Sequence, residues 1–260
     1  NIIMGQLNNA AGKADEAGKD GAKLVKEVFG SLEQTMFTTS GDGANATTTL
    51  KAGMEGLVPS FIALCEKAKQ QGQTIDAKYL QALAGKIEYE EKNKDAIIQL
   101  IKLAKDENAT DVINIIMGQL NNAAGKADEA GKDGAKLVEA VFGSITQAVF
   151  TDDGSLVKDV NVYDVIALCA KQDNPGFTAD QLRTLAVKLY SSGNGTCTLY
   201  PTVTPETINN FIKLLNKERE NDSNLNTTVQ TIAETLDKIT NWPKGMTKPD
   251  LSKLKGGVKL

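Results

Sequence analysis

Histidine is absent from all 260 residues. That absence removes histidine-based nucleophile triads, histidine metal ligands and the commonest general base. Catalysis would have to rest on carboxylates, lysine or cysteine. Aromatic residues are scarce, at 5%, so the core must come mainly from Leu, Ile, Val and Ala. Such a core suits helix packing better than a β-sandwich. No apolar run approaches the ~20 residues that cross a bilayer. The body of the chain has no basic block, and the formal net charge is −4, which argues against a nucleic-acid surface. The exception is 241–260, where Lys244, Lys248, Lys253, Lys255 and Lys259 face Asp250 alone, among Pro243, Pro249, Gly256 and Gly257. This reads as a flexible basic tail.

What is present is enough for a folded core: 41% hydrophobic and 24% charged residues. It is organised as a repeat. The opening stretch "NIIMGQLNNAAGKADEAGKDGAKLV" returns at Asn114. Asn1–Ser31 and Asn114–Ser144 differ only where Lys26 becomes Glu139 and Glu27 becomes Ala140. Looser matches continue beyond the block. "FIALCEKA" (61–68) pairs with "VIALCAKQ" (165–172), "YLQALAGK" (79–86) with "QLRTLAVK" (181–188), and "IIQLIKLAKDEN" (97–108) with "INNFIKLLNKER" (208–219). The chain therefore reads as two turns of one divergent repeat. Each turn is longer than the ~20–50 residues of solenoid units, so tandem multi-helix domains are expected, stacked or not into an elongated array. "TDVI" (110–113) precedes the second block and has no counterpart before Asn1. Asn1 is thus expected inside a helix of a longer protein.

Helical spacing runs through Leu137, Val138, Val141, Phe142, Ile145 and Val149. It recurs in Tyr79, Leu80, Leu83, Ala84 and Ile87, and in Leu225, Val229, Ile232, Leu236 and Ile239. Thr204 before Pro205, and Thr178 three residues before Gln181, match helix starts. "TCTLYPTVT" (196–204) is the most strand-like run; Pro201 interrupts it and it reads as an irregular loop. The expected class is all-α. Residues 1–37 form a partial first repeat, 38–57 a variable loop and 58–150 a helical domain. Residues 151–160 form a second variable loop, 161–240 a divergent helical domain, and 241–260 the tail. Within the repeated block, Gly12, Gly18 and Gly21, matched by Gly125, Gly131 and Gly134, predict a break between two helices. The alternative is one long helix whose small residues admit a neighbouring backbone.

The motifs of chemistry are near misses. "GKADEAGKD" (12–20) has the wrong glycine spacing for a P-loop, and Asp20 stands where Ser or Thr belongs. "DDGSLVKDVNVYD" (152–164) lacks calcium-loop spacing and its closing Glu. No cofactor or metal is expected. Cys65 and Cys169 share one place in the "IALC" helix and read as core. Cys197 lies in an insert (191–205) unique to the second copy, free or bonded to Cys169. Five Asn-X-Ser/Thr sequons are of the number expected in a chain rich in Asn and Thr.

Near-identical blocks beside variable loops resemble the tandem-repeat surface antigens of obligate intracellular bacteria, of the strain-specific Neorickettsia and Ehrlichia type. The resemblance implies a surface or secreted protein that contacts host molecules or antibodies, without catalysis, and it transfers no residue roles. The expected function is non-enzymatic binding or adhesion; the alternative is a self-assembling scaffold. The expected partner is a protein (host protein, antibody or a second copy), with no nucleic acid. The candidate interaction surface is the charged part of the repeated block: Lys13, Asp15, Glu16, Lys19 and Asp20, with Lys126, Asp128, Glu129, Lys132 and Asp133.

Overall fold

The computed structural model describes residues 5–6, 27–41, 46–124, 129–193 and 196–256, with the backbone alone for 129–133. The chain divides into two compact units, Asn1–Ala148 and Val149–Leu260.

In the first unit, helix α1 (27–36) runs directly into a two-stranded antiparallel hairpin, β1 (Phe37–Ser40) and β2 (Thr47–Leu50). The register pairs Phe37 with Leu50 and Ser40 with Thr47. Four helices follow: α2 (Val58–Gln70), α3 (Ala77–Ala84), α4 (Lys94–Asp106) and α5 (Thr110–Ala124). Pro59 sits in the first turn of α2, where a missing N–H costs nothing. Asp76 caps α3 by accepting the Lys78 N–H at 3.0 Å. The buried stripe Ile97, Leu100, Ile101 and Ala104 turns α4 inward, and Val112, Ile113, Ile116, Met117 and Leu120 do the same for α5. Phe61 anchors the aromatic part of this core, stacked on Phe29 and edge-on to Phe37, each at 5.6 Å.

Helix α6 (Glu129–Val149) follows α5, and the second unit begins at its last residue. A Phe150–Leu156 bridge closes the turn after it, within which Asp153 accepts the Ser155 N–H. Then come α7 (Val162–Cys169), α8 (Ala179–Val187) and a second hairpin, β3 (Tyr190–Gly193) with β4 (Thr196–Leu199). Helices α9 (Pro205–Asn221), α10 (Asn226–Asp237) and α11 (Ser252–Lys255) complete the unit. Thr178 and Gln181 form the full capping box expected for α8. Phe211 and Leu214 of α9, and Val229, Ile232 and Leu236 of α10, are buried.

The protein is predominantly helical, but it is not all-α. The expected loop 38–57 holds β2 and all of β1 but its first residue, and the run 196–204, which reads as an irregular loop, holds β4. Pro201 lies beyond the end of β4, so it stops the strand without disrupting it. A second correction concerns the flexible basic tail expected over 241–260, whose described part ends at 256. Leu251 and Leu254 are buried, and Lys248 and Lys255 are paired with Asp237. Two leucines in an otherwise basic run give that segment an apolar side to dock.

Of the glycines expected to break the second copy of the repeated block, Gly125 lies outside the described residues, and Gly131 and Gly134 lie inside α6. A Cβ on Gly134 would stand 2.4 Å from the Ala123 carbonyl oxygen. The glycine therefore lets the backbones of α5 and α6 touch. The first copy of this stretch lies outside the described residues. Among the described residues, no helix is long and apolar enough to cross a membrane.

Candidate functional site

The candidate interaction surface is mostly beyond description. Lys13, Asp15, Glu16, Lys19, Asp20, Lys126 and Asp128 lie outside the described residues, and Glu129, Lys132 and Asp133 occupy the opening turns of α6.

Two carboxylates stand out among the described residues, and they occupy matching positions of the sequence repeat. Glu107, just past α4, accepts the Ile75 N–H through Oε1 at 3.2 Å. Glu218, in the last turn of α9, accepts the Phe177 N–H through Oε1 at 3.0 Å. Ile75 and Phe177 each immediately precede a helix cap, Asp76 of α3 and Thr178 of α8, and both are buried. Each carboxylate thus pins the entry of a short helix to the end of a longer one. Neighbouring charges differ in arrangement. In the first unit Lys69 Nζ meets Glu107 at 2.5 Å. In the second, Lys217 Nζ lies 3.5 Å from Asp173 and donates to the carbonyls of Ala170 and Gln172.

Glu218 is only 1% exposed. Burial pushes its carboxyl above the ordinary value near 4.5, against the pull of the Phe177 and Gly176 N–H groups. The oxygens are committed to backbone donors. The arrangement is that of a structural clamp.

The thiols are equally committed. Cys65, Cys169 and Cys197 are free and buried, so Cys169 and Cys197 are not bonded to each other. Burial, seconded by the charge of Glu218, pushes the Cys169 thiol well above its usual value; burial with Glu33 does the same to Cys65. Neither is set up as a thiolate nucleophile.

Among the described residues, the carboxyls of Glu33 and Asp76 sense each other's charge, beside Lys78 and Tyr79. Burial first, then the charge of Asp76, raises the Glu33 carboxyl. Asp76, however, caps α3 and is paired with Lys78 Nζ at 2.9 Å, while that ammonium lies 5.1 Å from the centre of the Tyr79 ring. A surface cleft of about 380 Å³ is lined by Glu55, Pro59, Lys86, Ile87, Glu88 and Lys92. Of its charges, Lys92 Nζ is held by Glu88 at 2.7 Å, and by Glu90 outside the lining at 2.9 Å. Among the described residues no group of His, Cys, Asp and Glu is placed to hold a metal ion.

The described residues of both hairpins are mostly exposed. Thr38, Thr39, Ser40, Thr47 and Thr49 are exposed on β1 and β2, as are Ser191, Ser192, Thr196 and Thr198 on β3 and β4. Tyr200, one residue past β4, is 41% exposed, and Val187 at the end of α8 is 55% exposed. Sequence reasoning missed both hairpins. Yet the period-2 pattern is visible in Thr196, Cys197, Thr198 and Leu199, exposed and buried by turns.

Compared with protein-family models, curated proteins and solved structures, the chain matches none.

Proposed function

We propose that the chain is a non-enzymatic binding protein of tandem-repeat type, an adhesin or antigen at the cell surface or secreted. In this reading, two copies of one helical module present different exposed hairpins to a protein partner. The observation that carries it is a joint made alike in both halves, beside exposed segments made differently. Glu107 on the Ile75 N–H and Glu218 on the Phe177 N–H are the same joint at matching sequence positions. The hairpins do not match: one precedes α2, the other follows α8. A frame that tolerates inserts at different points is suited to display, and two modules on one chain raise avidity where both can engage.

The groups that elsewhere carry catalysis are here tied to the frame. Glu218 holds two backbone donors, Asp76 caps a helix, and the thiols are buried. This favours binding over chemistry. Self-assembly through the Ala/Gly blocks has less support, because Gly134 is already used against Ala123 inside the chain.

Protease shaving of intact source cells, read by mass spectrometry, tests the proposal. The expected result is release of peptides from 38–56 and 191–205 while cytosolic controls stay whole. Full protection of those peptides until lysis overturns it.

A further inference from the structure

Beyond α10 the chain turns back on itself. Ile239 bridges to Cys197 of β4, and the side chain of Asn241 grips Leu199: Oδ1 accepts the Leu199 N–H at 2.9 Å and Nδ2 donates to its carbonyl at 3.1 Å. From Pro243 onward the regular bonding ends. A turn closed by the Met246 N–H on the Pro243 carbonyl, with Gly245 at φ 82°, leads to the single turn of α11. An isolated turn of four residues has no stability of its own. It stays in place through contacts with α9 and α10.

Those contacts are of two kinds. Leu251 and Leu254, 2% and 1% exposed, supply the apolar one. The polar one is a set of charged fasteners at the rim. Lys248 Nζ lies 2.7 Å from Asp237 Oδ1 at the end of α10 and also donates to the Asp237 carbonyl. Lys255 Nζ holds Oδ2 of the same carboxylate. From α9, the Arg219 guanidinium forks onto the carbonyls of Lys253 and Gly256, the unsatisfied end of α11. One carboxylate and one guanidinium, on two different helices, thus fasten a stretch of 243–256 whose remaining backbone makes few bonds.

We propose that residues 243–256 are a charge-fastened latch, which opens as a unit while α9 and α10 stay folded and bares the apolar floor beneath Leu251 and Leu254. Two buried leucines and a few exposed ion pairs stand against the ordering of fourteen residues, so the closed form is only slightly favoured. Acid is not the trigger. Lys248 and Lys255 are the charges facing Asp237, and they hold its carboxyl down at about 2, so it stays ionised at any ordinary pH. Screening is the trigger, by salt or by a polyanion that competes for Lys248, Lys253 and Lys255. This inference does not depend on the adhesin reading.

Hydrogen–deuterium exchange on the full chain tests it. The reporters are the amides of Leu254, Lys255 and Gly256, bonded to the carbonyls of Leu251, Leu251 and Ser252. Exchange is compared at roughly 10 mM and roughly 1 M salt, where the Debye length falls from about 30 to 3 Å. The same comparison is made for Asp237→Asn and for Lys248→Gln with Lys255→Gln. The expected result is a several-fold rise at 254–256, up to about tenfold, in high salt and in both variants. Amides in the middle of α9 and α10 stay protected. Unchanged protection at 254–256 overturns the latch, and so does exchange of 254–256 in step with α10, which would make them one unfolding unit. The salt series on the unaltered chain keeps the test valid if a variant fails to fold.

Discussion

Glu218 holds Phe177: its Oε1 accepts the Phe177 N–H at 3.0 Å, with the side chain all but sealed from solvent. A carboxylate in that position is costly to bury and costly to remove. Desolvation opposes its charge, but its removal takes away the acceptor that the Phe177 N–H now uses in a buried place.

Glu218→Ala is therefore expected to lower stability by about 1–3 kcal/mol, the cost of orphaning buried donors. Glu218→Gln, which keeps an acceptor oxygen, should lose less. The pH response separates the two effects. Because the folded carboxyl titrates above its unfolded value, the folded state binds more protons through that window, and stability falls as pH rises through it. Urea melts at a series of pH values should show a steeper fall in the unaltered chain than in Glu218→Gln, where the raised carboxyl of Glu33 still contributes. An unchanged profile would mean that Glu218 is not buried as a charge.

Gly134 makes a second expectation, in which sign matters more than size. An alanine there drives its Cβ to 2.4 Å from the Ala123 carbonyl, and backbone cannot swing aside as a flexible side chain can. Gly134→Ala should destabilise by about 1–3 kcal/mol, although alanine is the better helix former. Gly118 in α5 and Gly143 in α6 have no atom within 4 Å of a Cβ. Alanine at either should be neutral or stabilise, by up to about 1 kcal/mol. Thermal melts of the three variants decide it. Equal effects at all three would show that α6 does not lie against α5 at this point.

Much of this was legible beforehand. The stripe through Leu225, Val229, Ile232 and Leu236 anticipated α10, and Thr178 with Gln181 anticipated the cap of α8, because 3.6-residue periodicity and capping are local properties. Glu218 was legible in part, since it follows Phe211, Leu214 and Leu215 on the apolar face of α9. What it binds was not, because Phe177 lies 41 residues away. The hairpins escaped because four-residue strands of Thr and Ser look like loop composition until their partners are known. The docked segment escaped because two leucines among the four lysines of 241–256 are outvoted in any average over it. The charged block of 12–20 stays a sequence argument, since those residues lie outside the described set.

Asn241 offers the most discriminating substitution, because its side chain imitates a strand. Donor and acceptor meet the carbonyl and N–H of one residue, Leu199, and cover that edge of β4. Asn241→Ala removes both bonds and should cost about 1–2 kcal/mol. Asn241→Asp has nearly the same shape, and shape alone would make it the milder change. It is expected to be at least as damaging, because the oxygen that replaces Nδ2 then faces the Leu199 carbonyl oxygen, lone pair against lone pair. Chemical denaturation near neutral pH compares the two. Lowering the pH until the aspartate protonates should return part of the loss, since a protonated carboxyl can again donate. If Asn241→Asp proves harmless at neutral pH, Leu199 is not held in the two-bond arrangement. The edge of β4 would then be open to another strand.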